Sequence, residues 1–306
     1  MGLRLAVLVN PTSGSGRGAR QGARTVDLLR RRGHLVRTVS APDRVGAGLR
    51  AAEVVADGVD ALVVVGGDGT VGLGVGAVAG TAVPLGVVAA GSGNDVARSL
   101  GLPRHDPVRA VRHLESAFAA GGRLVDAMTV AAADGSGERW CMGVVSAGVD
   151  AAVNARANAS SWPRGRARYV RALAAELPGF RPYGYRLRLD DGTWEPPATL
   201  VAVANTTSIG GGMRIAPDAC ADDGLLDVVV AGPLSRTALL RIFPSVYRGA
   251  HVHHPVCEVR RSRTVLLEPA PSEGLRHPPT AFADGEPVGQ VPLLVRVRPG
   301  ALTLLA

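Results

Sequence analysis

The sequence predicts a fold of two parts, an α/β domain with a parallel sheet followed by a β-rich domain built as an antiparallel sandwich. Over the first hundred or so residues, apolar strand-like runs alternate with helical segments, which is the pattern of a parallel sheet with helices on both faces. From about Leu124 onwards, short apolar runs between Gly, Pro and Asp turns indicate antiparallel strands. The 306 residues suffice for two such domains, which we place at 1–124 and 125–298, with 299–306 as a possible return to the first.

The elements of the first domain follow from its apolar runs and their breakers. The run 61–65 is uniformly apolar and rich in valine, as expected of a central parallel strand covered on both faces. Gly33 is a suitable residue just past a helix end. In chain order we predict strands at 3–9, 35–39, 61–65 and 84–90, and helices at 19–32, at 46–57 and in a short segment ending at 100.

The second domain shows shorter runs at the spacing of hairpins and sandwich strands. Two helical segments, 166–177 and 237–247, interrupt this pattern. The predicted strands lie at 124–131, 139–146, 185–189, 199–204, 225–231, 256–267 and 293–298.

Three polar glycine loops, 10–18, 66–70 and 91–95, each follow a predicted strand. Because ligands of parallel sheets sit at the carboxyl ends of the strands, these loops can converge on one crevice. The second loop carries one carboxylate, Asp68, among glycines whose amides favour a phosphate. An acid there would repel phosphate unless a divalent cation lay between them, so the loop predicts a nucleotide site with Mg²⁺. A plain turn with a solvated Asp is the alternative.

Generic nucleotide motifs fit this chain less well. The segment 72–77 formally matches the dinucleotide fingerprint, but it does not directly follow a strand, so we interpret it as a closely packed helical segment. The chain contains no lysine, which excludes the lysine of a P-loop. The first loop can still bind phosphate through amides, hydroxyls and Arg17 at a helix N-terminus, although an ordinary polar loop is the alternative.

Composition excludes several other classes. The formal net charge is +8 with only 4% aromatic residues, so stacking on single-stranded nucleic acid is not expected. Cys141, Cys220 and Cys257 are isolated, which argues against a disulfide framework and a zinc site. We see no membrane-spanning run and no signal-peptide cleavage site, and therefore expect a cytoplasmic protein.

Several motifs occur in a fixed order along residues 9 to 287. They are Asn10-Pro-Thr-Ser-Gly-Ser-Gly, Gly66-Gly-Asp-Gly-Thr70, Gly91-Ser-Gly-Asn-Asp-Val-Ala-Arg98, Asn205 with Gly210-Gly-Gly212, Ala216-Pro-Asp-Ala219 with Asp223-Gly-Leu-Leu-Asp227, and Asp284-Gly-Glu-Pro287. This ordered set resembles the catalytic domain of diacylglycerol and sphingosine kinases, and especially the soluble bacterial lipid kinases.

The resemblance implies an ATP- and Mg²⁺-dependent kinase whose acceptor is a lipid hydroxyl, with the active site between the two domains. Asp68 would act through Mg²⁺, and Asp95 would line the acceptor side. The residues implied to contact the nucleotide are Asn10, Ser13, Gly14, Ser15, Arg17, Gly66, Gly67, Gly69, Thr70, Gly91, Ser92 and Asn94.

The same resemblance implies that a carboxylate of Asp284-Gly-Glu286 is the general base. We favour Glu286 as the base, with Asp284 holding metal or orienting it, and the reverse assignment stays open. Asp284-Gly also reads as a hairpin turn. Asp223 would hold a second metal together with the main chain at Cys220 and Leu225, and a simple turn is the alternative there.

Two departures from the family pattern qualify these expectations. Gly72 and Leu73 stand where the family has Asn and an acidic residue, and Arg17 replaces a lysine, which is not equivalent chemically. The two missing residues after Thr70 leave a catalytically silent nucleotide-binding regulator as one rival. The other is an NAD kinase, which shares the Gly-Gly-Asp-Gly signature on a related architecture. A nucleic-acid binder rests on charge alone and is not expected.

The segment Trp162 to Arg171 combines aromatic residues with four arginines, Arg164, Arg166, Arg168 and Arg171. This combination suits docking onto an anionic membrane surface, and a solvated helix is the alternative. We expect a cytoplasmic enzyme in peripheral contact with the membrane, with a homodimer as a possible assembly.

Overall fold

The computed structural model describes residues 2–160, 166–179, 181–270 and 277–306, with the side chains of 158 and 166–169 excepted. It divides into two compact units. The first comprises Met1–Ala127 with Pro299–Ala306, and the second comprises Met128–Arg298.

The first unit is an α/β structure with a parallel sheet in the order β2-β1-β3-β4. Every residue of β3 is buried, as expected of a central strand with helices on both faces. The elements are β1 (Arg4–Val9), α1 (Ser13–Arg31), β2 (Leu35–Val39), α2 (Arg44–Ala56), β3 (Ala61–Gly66), α3 (Asp68–Val78), β4 (Leu85–Ala89), α4 (Asp95–Ser99) and α5 (Pro107–Ala119).

Helix α5 is the element of this unit that the sequence reading missed. The Asp106 side chain accepts hydrogen bonds from the amides of Val108 and Arg109, both at 3.0 Å, and Pro107 occupies the first turn. Both features are local signals of a helix start. Segment 72–77 lies within α3, as interpreted.

The second unit is an antiparallel sandwich. One sheet has the order β13-β12-β11-β7-β15-β16, and the other contains β10-β8-β14-β17. The elements that follow α5 are β5 (Arg123–Ala132), β6 (Arg139–Cys141), β7 (Val144–Gly148), α6 (Val149–Asn158), α7 (Arg166–Glu176), β8 (Tyr183–Leu189), β9 (Gly192–Trp194), β10 (Pro197–Ala198), β11 (Leu200–Ala204), β12 (Leu226–Ala231), α8 (Arg236–Val246), β13 (Cys257–Ser262), β14 (Thr264–Pro269), β15 (Ala281–Ala283), β16 (Glu286–Gly289) and β17 (Leu293–Leu304).

The core of the sandwich takes its side chains from both sheets. Val203 and Val228 of one sheet share a cluster with Tyr185, Leu267 and Val295 of the other. Alternate residues of each strand therefore point inwards, which is the arrangement that stabilises packed sheets. The predicted class of both domains, parallel α/β and antiparallel sandwich, is confirmed.

Helices α6, α7 and α8 contribute to a second apolar cluster of the sandwich unit, which includes Val153, Leu173 and Leu239. The sequence predicted α7 and α8 but not α6. Each of the runs 139–146 and 256–267, predicted as one strand, forms two strands. Among the described helices, none has the length and apolar character needed to cross a membrane.

Candidate active site

The three glycine loops of the first unit lie in contact at the carboxyl ends of β1, β3 and β4. The amides of Ala90 and Gly91 donate to the carbonyl of Gly66 at 2.7 and 3.1 Å. A Cβ added to Gly91 would lie 2.4 Å from the Cα of Gly67, and one added to Gly67 would lie 3.5 Å from the Ser13 hydroxyl oxygen. The loops approach this closely because glycines 67 and 91 have no side chain.

The first loop has an unusual backbone. Gly14, Ser15 and Gly16 have positive φ angles of 58°, 60° and 89°, so the regular part of α1 begins only after them. Ser15 adopts a conformation that a non-glycine residue rarely takes. Such local strain concentrates at functional sites, and exposed amides at a helix start favour an anion.

Arg17 connects the first loop to the third. Its Nε donates to the carbonyl of Gly14 at 3.0 Å, and its Nη2 donates to the carbonyl of Gly91 at 3.1 Å. Both acceptors are neutral, so these bonds position the guanidinium without cancelling its charge. Its contact with phosphate stays a prediction.

Asp68 begins α3, and its Oδ1 accepts a hydrogen bond from the amide of Val96 at 3.0 Å. The carboxylate therefore stabilises the first turn of α4 as well as lying in the glycine loop. Asn10 lies beside the same loop, because its Nδ2 donates to the hydroxyl of Thr70 at 3.3 Å. The structure thus brings Asn10, Asp68 and Thr70 to adjoining loops.

The third loop is closed by Asn94, which is 1% exposed and has a φ of 54°. Its side chain accepts from the Gly91 amide at 2.8 Å and donates to the Gly91 carbonyl at 3.0 Å. Asn94 therefore acts within the loop, and its contact with a nucleotide stays a prediction. Ser92 is exposed. Asp95 is buried, with its Oδ1 3.8 Å from the Nε of Arg98.

Asp284 occupies a two-residue hairpin turn between β15 and β16. Asp284 and Gly285 have positive φ angles of 50° and 83°, and Ala283 pairs with Glu286. These angles match the hairpin turn that Asp-Gly favours, so that interpretation describes the backbone correctly. Glu286 follows the turn as the first residue of β16 and is half-buried.

The Asp284 carboxylate is held by three backbone amides. Oδ2 accepts from Met142 at 2.9 Å, and Oδ1 accepts from Gly143 at 2.9 Å and from Val144 at 3.2 Å. A Cβ on Gly143 would lie 2.5 Å from Oδ1, so this cradle requires glycine at that position. Three donors stabilise the negative charge of Asp284 and fix its orientation.

At the predicted second metal position, the side chains of Asp223 and Cys220 contact other groups of the protein. Asp223 accepts from the Leu225 amide at 3.0 Å and forms an ion pair with Arg261. The Cys220 thiol contacts Asp222 at 2.8 Å. Within the described ranges, no group of three or more His, Cys, Asp or Glu side chains is placed to hold a metal. A metal at Asp223 stays a prediction and would have to compete with Arg261.

The sandwich unit contains an apolar cavity that the sequence reading did not find. It lies among α6, α7, α8, β11 and β12, and its wall is mainly apolar. The lining residues are Val149, Asp150, Val153, Leu173, Thr199, Leu200, Ile209, Met213, Ile215, Val229, Ala231, Leu234, Leu239, Ile242, Phe243, Val246, His251 and Cys257.

Asp150 is the acidic residue in this wall. It is 3% exposed, and neither carboxylate oxygen has a hydrogen-bond partner of good geometry. Burial raises the pKa of Asp150 from its ordinary value of 3.8 to about 6, although the nearby Ser146 side chain partly opposes the shift. The ionised form is therefore destabilising in the folded protein.

We expect Asp150→Asn to stabilise the fold at neutral pH. The folded protein keeps the Asp150 proton up to about pH 6, whereas the unfolded chain releases it near pH 3.8, so wild-type stability falls as the pH rises between those values. The gain is at most about 3 kcal/mol above pH 7 and vanishes near pH 4. Thermal unfolding of both proteins from pH 4 to 8 measures it, and a pH-independent difference would contradict the assignment.

Comparisons with known proteins identify the family of this chain. A family model described as the diacylglycerol kinase catalytic domain matches residues 4–130, and one described as the YegS C-terminal NAD kinase beta sandwich-like domain matches residues 143–306. A diacylglycerol kinase of Mycobacterium tuberculosis (strain CDC 1551 / Oshkosh) is 38% identical over 307 residues, covering 99% of this chain and 94% of the relative. The chain belongs to the diacylglycerol kinase family.

Two further relatives of this kinase are more distant. A diacylglycerol kinase of Bacillus subtilis (strain 168) is 24% identical over 254 residues, covering 82% of this chain and 80% of the relative. The crystal structure of a diacylglycerol kinase from Bacillus anthracis str. Sterne has a TM-score of 0.68 at 17% identity, covering 99% of this chain and 96% of that one. At that identity the likeness concerns the fold alone.

Of the two departures from the family pattern, Gly72 and Leu73, the structure gives Leu73 a packing role in this kinase. Both lie in α3 and are half-buried. A Cβ added to Gly48 of α2 would lie 3.3 Å from the Leu73 side chain, so Leu73 fills space between α2 and α3. An acidic residue at position 73 would face that helix contact instead.

The predicted membrane-docking segment of the kinase falls largely outside the described residues. Trp162 and Arg164 are not described. Arg166 and Arg168 lie in α7 without described side chains, and Arg171 is an exposed residue of that helix. Docking through this segment stays a prediction.

Proposed function

We propose that this kinase transfers the γ-phosphoryl group of ATP to a hydroxyl of a diacylglycerol-like lipid. The observation that carries the lipid acceptor is the apolar cavity of the sandwich unit, because an apolar wall suits an acyl chain and not a dinucleotide. Its free volume of about 70 Å³ is smaller than an acyl chain, so the wall would have to open to admit one. The M. tuberculosis relative is described as a diacylglycerol kinase, which supports the same acceptor class. NAD kinase is the rival that the cavity disfavours.

The glycine loops of the first unit would bind the triphosphate. Amides near Gly14 and Gly67 and the guanidinium of Arg17 supply positive potential for phosphate oxygens. Asp68 would hold Mg²⁺, which neutralises phosphate charge when bound. Phosphoryl transfer depends mainly on positioning and charge stabilisation, and these residues fit that requirement.

Glu286 would take the proton of the acceptor hydroxyl as it attacks the γ-phosphoryl group. Asp284 is the weaker candidate for the base, because its three amide donors stabilise the charged form. We propose that Asp284 instead stabilises the hairpin turn that precedes Glu286. The proposal also places the enzyme in the cytoplasm, in peripheral contact with an anionic membrane.

The experiment is a phosphorylation assay with γ-labelled ATP, Mg²⁺ and a panel of acceptors. The panel contains a diacylglycerol, a monoacylglycerol, a sphingoid base and NAD. A labelled lipid product is the expected result. Labelled NADP, or no product from any acceptor although ATP binds, would overturn the proposal in favour of an NAD kinase or a silent regulator.

A cavity variant tests where the lipid binds. Leu239 lines the cavity and is 8% exposed, whereas the adjacent Leu240 is 49% exposed. Leu239→Trp should lower lipid phosphorylation about tenfold or more by occupying the cavity, with ATP affinity unchanged. Leu240→Trp is the matched control and should keep wild-type activity. Equal activity of the two variants would reject the cavity as the acyl site.

A further inference from the structure

Three arginines beside β4 have no carboxylate partner in the part of the chain that the structure describes. The backbone of Arg104 forms an isolated parallel β-bridge with Ala89 at the end of β4. Arg109 and Arg112 are exposed residues of α5. Unpaired cations gathered on one surface repel one another. Their arrangement therefore needs an explanation other than stability.

The acidic residues of the same stretch do not compensate these charges. Asp106 caps α5 and is bonded to the amides of Val108 and the following residue. Glu115 is paired with Arg32 and with His34, the latter at 3.2 Å. Both carboxylates are therefore engaged with other groups.

The cations line two neighbouring surface concavities that share Arg109 and His113. Position 113 is one turn of α5 after position 109, so both side chains lie on one face. The Nε2 of His113 is buried without a hydrogen-bond partner. The other polar residues of the two walls are Arg104, His105, Arg112 and Ser116.

His105 reports the positive potential of this region. Partial burial lowers its pKa, and the positive charges of Arg17, Arg104 and Arg98 lower it further. All three arginines lower the pKa of His105, and no acidic side chain contributes to the shift. The region therefore attracts anions.

We propose that Arg104, Arg109, Arg112 and His113, here named the basic groove, form a second anion site that binds a phosphate monoester. Planar guanidinium groups bind phosphate oxygens in pairs, and the concave shape suits a discrete phosphate group. None of these four residues belongs to the three glycine loops, although His105 in the groove wall lies 3.4 Å from Asn94 of the third loop, so the groove adjoins the proposed nucleotide site without sharing its residues. The inference does not depend on the proposed function.

Two sources offer this chemistry, a soluble phosphate compound and a lipid headgroup. The first arm measures binding of phenyl phosphate, a soluble phosphate monoester, by calorimetry in the presence of saturating ADP and Mg²⁺, which occupy the proposed nucleotide site. The second measures co-sedimentation with phosphatidylcholine vesicles that contain phosphatidic acid, against phosphatidylcholine alone. Both arms compare the wild type with Arg104→Gln, Arg109→Gln and Arg112→Gln combined.

The matched control removes three exposed arginines of the second unit, Arg181, Arg263 and Arg296, also by replacement with Gln. It has the same net charge as the groove variant. Unfolding temperatures of all proteins should agree within a few degrees, because each change is on the surface.

We expect the groove variant to lose affinity about tenfold or more in one arm, and the control to keep it. Loss of phenyl phosphate binding identifies a soluble ligand, and loss of binding to phosphatidic acid vesicles alone identifies a lipid headgroup. The proposal is overturned if the groove variant binds like the wild type in both arms. Equal losses in the groove variant and the control would also overturn it, because total charge would then explain the binding.

Discussion

Asp68→Ala is expected to reduce lipid phosphorylation by a factor on the order of 10³ or more, because the proposed Mg²⁺ position would lose its carboxylate. The initial rate at saturating ATP and Mg²⁺ measures the effect. Asp68 also accepts a hydrogen bond from Val96, so alanine would remove a contact at the start of α4 as well as a charge.

Asp68→Asn separates these two roles. Asparagine keeps an oxygen for the Val96 amide but has no charge, so its unfolding temperature should be close to that of the wild type while its rate falls as far as that of the alanine variant. Near-normal turnover of Asp68→Asn would show that the position acts through the hydrogen bond and not through a metal.

Glu286→Gln is expected to lower kcat by about 10² to 10⁴, the range typical of general base catalysis, with little change in ATP affinity. Glutamine has nearly the same shape but cannot take up the proton of the lipid hydroxyl. Steady-state kinetics with a lipid acceptor and a separate ATP-binding titration provide the measurement. A change confined to KM would contradict a base at this position.

The variant Asp284→Asn distinguishes the role of Asp284 from that of Glu286. Its amide group would face backbone donors at Met142, Gly143 or Val144, so stability should fall by about 1–3 kcal/mol. Glu286→Gln should leave stability unchanged. If Asp284→Asn keeps wild-type stability and loses only the catalytic rate, the roles of the two carboxylates are exchanged.

The fold was predictable where local sequence determines the backbone. Glycines after apolar runs locate the loops at the ends of β1, β3 and β4, because a close approach of chains such as that between Gly67 and Gly91 excludes a side chain. Helix α5 also has a local start signal, the capping residue Asp106 followed by Pro107, although the sequence analysis did not use it to predict this helix.

The rest depends on contacts between distant residues. The amide cradle of Asp284 comes from residues about 140 positions earlier in the chain, and a turn motif does not reveal it. The wall of the cavity is drawn from residues between Val149 and Cys257 on several elements. Each of its aliphatic side chains is consistent with an ordinary core, so only the assembled packing shows that space remains between them.

The two-donor guanidinium of Arg17 makes lysine a poor substitute at this position. Its two bonds leave from two different nitrogens, Nε and Nη2, which reach the carbonyls of Gly14 and Gly91. An ammonium group concentrates its donors on one atom at the end of a flexible stem, so it cannot join the two loops in the same geometry. The two bonds hold the guanidinium in the folded protein, so an anion bound there would not have to restrict the side chain again, because its conformational entropy is already lost on folding.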